Sequence, residues 1–113
     1  MVSYSTTQRK ALRSLANLAY ERELDAELAN LEARFRQWRA QQISGFELSD
    51  FIHEFHDGAS RELYMLYGSV DAAYLVARAI LQGLLRDDEI PREILANLAD
   101  LIDSLRSGQA ASP

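Results

Sequence analysis

The feature that most constrains the fold is the N-terminal stretch, which contains neither proline nor glycine before Gly45. Ser5 or Thr6 can cap a helix that reaches about Gln41. At ~1.5 Å per residue, this helix would extend about 50 Å, whereas a compact domain of this size has a diameter of about 35 Å. The helix must therefore kink, or part of it must pack against a second copy. We favour a second copy, paired antiparallel in a homodimer.

Apolar residues along this helix change their spacing near its middle. Five large residues follow one another in steps of four, three, four and three, the spacing of a coiled-coil seam. We call this set the seam: Leu24, Leu28, Leu31, Phe35 and Trp38. Continuing the spacing towards the N-terminus would place Asn17 and Glu21 in the seam. The helix therefore curves, or it uses two different partners along its length.

Local signals predict where the shorter helices begin and end. Ser44 and Glu47 have the spacing of a capping box, which starts a helix, and Gly58 is expected to end it. This helix has an apolar stripe at the i, i+3, i+4, i+7 spacing. The stripe consists of Leu48, Phe51, Ile52 and Phe55.

Three more helices are predicted after Gly58. Gly68 ends the first of them, and Ser69 with Asp71 opens the second. Gly83 lies near the end of that second helix, where it could allow another helix to approach closely. Pro91 suits the first position of the last helix. The predicted ranges are 60–67, 70–85 and 91–106.

The composition favours helix throughout, because alanine, leucine, glutamate and arginine are abundant and the chain has two prolines. We predict an all-α fold of about five helices, with a long N-terminal helix packed against a bundle of shorter helices. Residues 1–106 form a single helical domain, and residues 107–113 form a disordered tail. The chain has no cysteine, which excludes disulfide scaffolds and thiolate metal sites.

Charge and hydropathy limit the classes of partner. Residues 1–40 carry seven basic and five acidic side chains (net +2), and residues 41–113 carry five and twelve (net −7), for a total of −5. The acidic part would be repelled by phosphate backbones, so nucleic-acid binding is disfavoured. No apolar run approaches the roughly 20 residues needed to cross a bilayer, and the N-terminus lacks the apolar core of a signal peptide. We therefore expect a soluble cytoplasmic protein without membrane contact.

Both histidines lie in the second predicted helix, among carboxylates. Asp50, His53 and Asp57 share one helical face at i, i+3, i+7, with His56 on its flank and Glu54 nearby. Imidazole and carboxylate together suit Zn, Fe or Ni, so one hypothesis is a divalent-metal site built from His53, His56, Asp50 and Asp57. The spacing is not the HExxH of zinc proteases, and no second motif of this kind occurs. The alternative, which we favour, is a solvated or partner-facing acidic surface without a cofactor.

Basic and aromatic residues are mixed near the end of the first helix. Arg34, Arg36 and Arg39 surround Trp38, a composition that can stack on and neutralise nucleic acid. The favoured alternative is internal pairing, first between Arg36 and Glu32 at i, i+4. In a helical hairpin the arginines would also face three carboxylates of the next helix, those of Glu47, Asp50 and Glu54.

Tyr64 and Tyr67 are predicted on one face of the third helix. They are interpreted as core aromatics whose hydroxyls reach water; an exposed pair would instead form a binding anchor. The segment from Phe46 to Tyr67, FELSDFIHEFHDGASRELYMLY, resembles small uncharacterised bacterial all-helical proteins. A weaker likeness covers residues 80–95, and the resemblance implies no activity.

Three functional hypotheses follow. We favour a non-enzymatic helical interaction module, homodimeric and able to bind a protein partner, since no nucleophile constellation, phosphate loop or internal repeat occurs. The alternative is a metal-binding protein or metal-dependent enzyme that uses His53 and His56, joined by Glu62 from the next helix. A weaker alternative is a nucleic-acid-associated regulator that acts through the three arginines near Trp38.

Overall fold

The structure is a computed structural model that describes residues 3–111. Those residues form five α-helical segments and no strand, which confirms the predicted all-α class. No helix in the described range is long and apolar enough to cross a membrane. The segments are α1 (Thr6–Arg39), α2 (Gly45–Phe55), α3 (Arg61–Ser69), α4 (Ala72–Leu81) and α5 (Arg92–Ala111).

Hydrogen bonds at both ends explain the limits of α1. Ser5 and Gln8 form a reciprocal cap, in which each backbone N–H donates to the other's side-chain oxygen, at 3.0 and 3.1 Å. At the C-terminal end, Gln41 adopts a left-handed φ of 62°. The N–H of Gln41 donates to the carbonyl of Trp38, and the N–H of Gln42 donates to that of Gln37. This is a Schellman motif with glutamine in the position that usually holds glycine.

The capping box that opens α2 is confirmed, but the predicted end of this helix is wrong. The Ser44 hydroxyl accepts from the Glu47 N–H at 3.1 Å, and the Glu47 carboxylate accepts from the Ser44 N–H at 3.0 Å. Gly58 does not end the helix, because it does not adopt a positive φ. A π-helical turn (His56–Ser60) instead joins α2 directly to α3. The three segments form one continuous helix from Gly45 to Ser69.

The described chain divides into two compact units that share α1. The first unit contains the residues up to Ala19 and those from Val70 onward, and it holds most of the core. Leu12, Ala16 and Ala19 of α1 are buried at i, i+4, i+7. The largest fully buried side chains come from α4, α5 and the connection between them: Leu75, Val76, Leu85, Ile94 and Leu98.

The second unit, Tyr20–Ser69, is much less buried. Of its described residues, Leu48 and Leu63 alone are buried apolar residues. None of the five seam residues is buried, and Leu28 and Trp38 are 43% and 44% exposed. Burial of apolar area is the main stabilising term in folding, and two of the buried apolar residues among those described belong to this unit, compared with thirteen in the first unit.

Gly83 has a different role from the one predicted. It adopts a φ of 76°, and a Cβ built on it would meet nothing within 4 Å, so it does not serve close helix approach. Its N–H donates to the Ile80 carbonyl, and the Leu84 N–H donates to the Ala79 carbonyl. These bonds form a second Schellman motif. They end α4 at Leu81, four residues before the predicted end at Leu85.

The start of α4 also differs from the prediction. Asp71 occupies the N-cap position, and its side chain makes no capping hydrogen bond. The Ser69 hydroxyl instead donates to the Met65 carbonyl at 2.6 Å, within α3. Burial, together with the nearby Asp71 carboxylate, raises the pKa of the Tyr4 hydroxyl. Tyr4, which precedes α1, is therefore partly buried near the start of α4.

Replacing Gly83 with alanine should destabilise the protein by about 1–2 kcal/mol, because an L-residue pays that cost in the left-handed region. Gly68→Ala is the matched control. Gly68 lies inside α3, where a Cβ would also meet nothing within 4 Å, but its φ is not positive. Alanine there should stabilise the helix by about 0.5–1 kcal/mol. Urea unfolding of both variants measures the difference; equal effects at the two glycines would contradict the Schellman assignment.

The last helix is longer than predicted. It continues to Ala111, so residues 107–111, which were assigned to the tail, are helical. Residues 112 and 113 of the predicted disordered tail lie outside the described residues. The assignment of residues 1–106 to a single domain stays a prediction.

Candidate functional site

The C-terminal half of α1 and α2 form the predicted helical hairpin. The guanidinium carbon of Arg34 lies 4.2 Å from the ring centroid of Phe51, a cation–π contact across the hairpin. An open groove of about 220 Å³ lies beside this contact. Both helices and the π turn contribute to it, through Glu27, Asn30, Leu31, Arg34, Phe51, Glu54, Phe55 and Ala59.

The arginines do not make the predicted ion pairs with Glu47, Asp50 and Glu54. Arg36 pairs with Glu32 at 2.8 Å, as the i, i+4 spacing predicted. Arg34 donates to the Gln37 side chain at 3.2 Å and stacks on the Phe51 ring, so an aromatic face replaces the expected carboxylates. Arg39 makes no ion pair or side-chain hydrogen bond within the described residues. A nucleic-acid role for the three arginines stays a prediction.

The two tyrosines of α3 have different environments. Tyr67 is half-buried, and its ring stacks on Tyr20 of α1 with centroids 4.6 Å apart and an interplanar angle of 4°. Its hydroxyl donates to the Glu23 carboxylate at 2.8 Å. Tyr64 is 72% exposed, so its assignment to the core is wrong. Tyr67 ties α3 to α1, and Tyr64 is available for contact with a partner.

Tyr67→Phe should cost about 1 kcal/mol of folding stability, because the stacked ring remains while the partly buried hydrogen bond to Glu23 is lost. Chemical unfolding monitored by circular dichroism measures the change. Tyr64→Phe is the control and should stay within about 0.5 kcal/mol of the wild type. A larger effect at Tyr64 than at Tyr67 would contradict the roles assigned to them.

The π turn places one of the two histidines at a cleft. His56 and Asp57 open this helical turn, and both side chains are exposed. They line a cleft of about 280 Å³ whose other lining residues are Tyr20, Ser60, Arg61 and Tyr64. π-helical turns occur frequently at functional sites, because the widened turn presents side chains that a regular helix would not bring together. The cleft therefore combines aromatic, cationic and anionic side chains on one surface.

The predicted metal ligands all lie on exposed surface. Asp50 and His53 are exposed on α2, His56 and Asp57 in the π turn, and Glu62 on α3. Within residues 3–111, no group of three or more His, Asp or Glu side chains is arranged to hold a metal ion. The metal hypothesis stays a prediction.

The most exposed large apolar side chain of the second unit was not predicted. Phe46 is 88% exposed in the first turn of α2, and Met65 of α3 is 57% exposed. The available signal was that Phe46 falls outside the i, i+3, i+4, i+7 stripe of its helix. A Cβ on Gly45 would lie 3.9 Å from the indole nitrogen of Trp38, so Phe46 and Trp38 lie at the same end of the hairpin.

Comparisons with protein-family models, with curated proteins and with solved structures find no match to this chain. The all-helical architecture agrees with the resemblance of the segment Phe46 to Tyr67 to small helical proteins. Membership of that bacterial group stays a prediction.

Proposed function

We propose that this chain is a non-enzymatic helical interaction module that forms a homodimer and binds a protein partner. The observation that carries the proposal is the unequal burial of the two units. The first unit has a packed core, whereas the second leaves six large apolar side chains exposed. They are Leu28, Trp38, Phe46, Ile52, Tyr64 and Met65.

The seam supports the homodimer. Its five residues follow coiled-coil spacing over two heptads, and none is buried within the chain. Leu28 and Trp38 are exposed, and the other three are half-buried. Apolar side chains left partly in water along one helix are typical of a surface that another protein covers. A second copy presents the same stripe, and a two-fold axis lets one patch bury itself.

Exposed apolar side chains outside the seam support the protein partner. Tyr64 and Met65 project from α3, and Phe46 projects from the start of α2. Exposed aromatic residues on rigid elements are the residues that most often dominate binding energy. We also expect a bacterial origin and a cytoplasmic location. The acidic, histidine-bearing surface around His53 is expected to face solvent or the partner.

The lone tryptophan makes the homodimer directly testable. Trp38 lies in the seam and is the chain's one tryptophan, so its fluorescence reports on seam burial. We expect sedimentation equilibrium of the cysteine-free wild type to give a dimer at micromolar concentration. Dilution should shift the Trp38 emission to longer wavelength as the dimer dissociates. A monomer at the highest soluble concentration, with emission independent of dilution, would overturn the homodimer.

A further inference from the structure

The spacing of the seam is nearly symmetric about its central residue. Leu24 and Trp38 each lie seven residues from Leu31, while Leu28 and Phe35 lie three and four residues from it. If two copies run antiparallel with Leu31 close to the two-fold axis, each end of the seam brings a leucine opposite an aromatic residue. Pairing a smaller with a larger side chain fills the layers evenly, as packed interiors require.

Acidic and basic residues are separated along the same helix. The segment 21–27 carries four carboxylates and one arginine, and the segment 34–39 carries three arginines and no carboxylate. In a parallel pair of helices, each segment would face a segment of the same charge. An antiparallel pair places the acidic segment against the basic one, and charges that flank a helical seam set the orientation in this way.

Several of these charges have no partner among the described residues of one chain. Glu21, Asp25, Glu27 and Arg39 make no ion pair or side-chain hydrogen bond among the described residues. Glu21, Asp25 and Arg39 are exposed. Arg34 and Arg36 are already engaged, with Phe51 and Glu32 respectively. The charges that remain available therefore include acids at one end of the seam and a base at the other.

We infer that the seam of α1 pairs antiparallel with the seam of a second copy, with Leu31 near the two-fold axis. Leu24 then faces Trp38 of the partner subunit, and the acidic segment 21–27 faces the basic segment 34–39 of the partner subunit. This inference rests on the proposed homodimer and specifies its orientation and register. The occupant of the seam is a second copy because the acidic and basic segments of α1 complement each other when two copies of it run antiparallel.

Distances between spin labels on the two protomers test the inference, since the chain has no cysteine of its own. Single labels would be attached to three exposed positions, as Glu21→Cys, Glu32→Cys and Arg39→Cys. In the inferred dimer, equivalent labels are offset along the axis by about 30 Å at position 21, about 3 Å at position 32 and about 24 Å at position 39. We therefore expect long, short and long distances in that order.

The other outcomes are distinct. Short distances at all three positions, near the 8–10 Å typical of packed helix axes plus the label arms, would show a parallel pair and overturn the inferred orientation. Long distances at all three positions would place the interface elsewhere and overturn the choice of the seam. Either result would leave the homodimer intact. A monomer in sedimentation would instead overturn the homodimer, and the inference with it.

Discussion

Replacing Leu98 with alanine should destabilise this protein by about 3–5 kcal/mol, the cost of deleting a fully buried leucine and leaving a cavity. Leu98 lies in α5 and is 0% exposed, in the same unit as the fully buried Leu75 and Val76. Because a domain of this size has a total stability of about 5–15 kcal/mol, the variant should lose a large part of it. The melting temperature should fall by more than about 10 °C, as measured by calorimetry.

Phe46→Ala provides the control for this prediction. It removes more atoms than Leu98→Ala does, but Phe46 is 88% exposed, so its truncation creates no cavity. We expect the free energy of unfolding to change by less than about 0.5 kcal/mol. Similar losses in the two variants would show that Phe46 is buried in solution, either by the chain itself or by a second copy.

The second large effect is expected on the dimer. Leu28→Glu introduces two carboxylates into a two-fold interface and removes two leucines from it, because each change occurs once per protomer. Each leucine is still 43% exposed in the single chain, so part of its burial remains to be gained on pairing. We expect the dissociation constant to rise at least about 100-fold, or about 2.7 kcal/mol. Sedimentation equilibrium measures it.

Ala33→Glu is the matched control, since it adds the same charge to the same helix. Ala33 is exposed and lies five residues from Leu28, on the opposite face of α1. Its dissociation constant should stay within about threefold of the wild type, about 0.7 kcal/mol. Both variants should keep the wild-type circular dichroism. A dimer that tolerates Leu28→Glu as well as it tolerates Ala33→Glu would exclude the seam as the interface.

Local chemistry explains what the sequence predicted well. The Ser44–Glu47 capping box and the Arg36–Glu32 pair each depend on residues three or four positions apart, so their geometry follows from the helix alone. The long first helix follows from the absence of proline and glycine before Gly45. These features require no knowledge of distant contacts.

The features that were missed depend on contacts between helices or on a choice between two backbone states. Gly58 and Gly83 are both plausible helix terminators, yet a positive φ occurs at Gly83 alone of the two. Arg34 was expected beside carboxylates, but the hairpin brings the Phe51 ring beneath it. The separate roles of Tyr64 and Tyr67 depend on Tyr20, which lies more than forty residues earlier in the chain.

The π-helical turn determines where the helix from Gly45 to Ser69 can lose a residue from its sequence without misplacing the side chains that follow. Phe55 and Leu63 are eight residues apart, and an unbroken α-helix would rotate Leu63 about 80° away from Phe55. The additional residue in the wider turn reduces this angle to about 20°, so both side chains face the same way. Deleting one residue within 56–60 would convert the wide turn into a regular α-helical turn and keep the side chains of α3 facing the same way. A deletion elsewhere in α2 or α3 would rotate the side chains on one side of it by about 100° relative to those on the other. Among evolutionary relatives, gaps of one residue in this helix should therefore fall within these five positions.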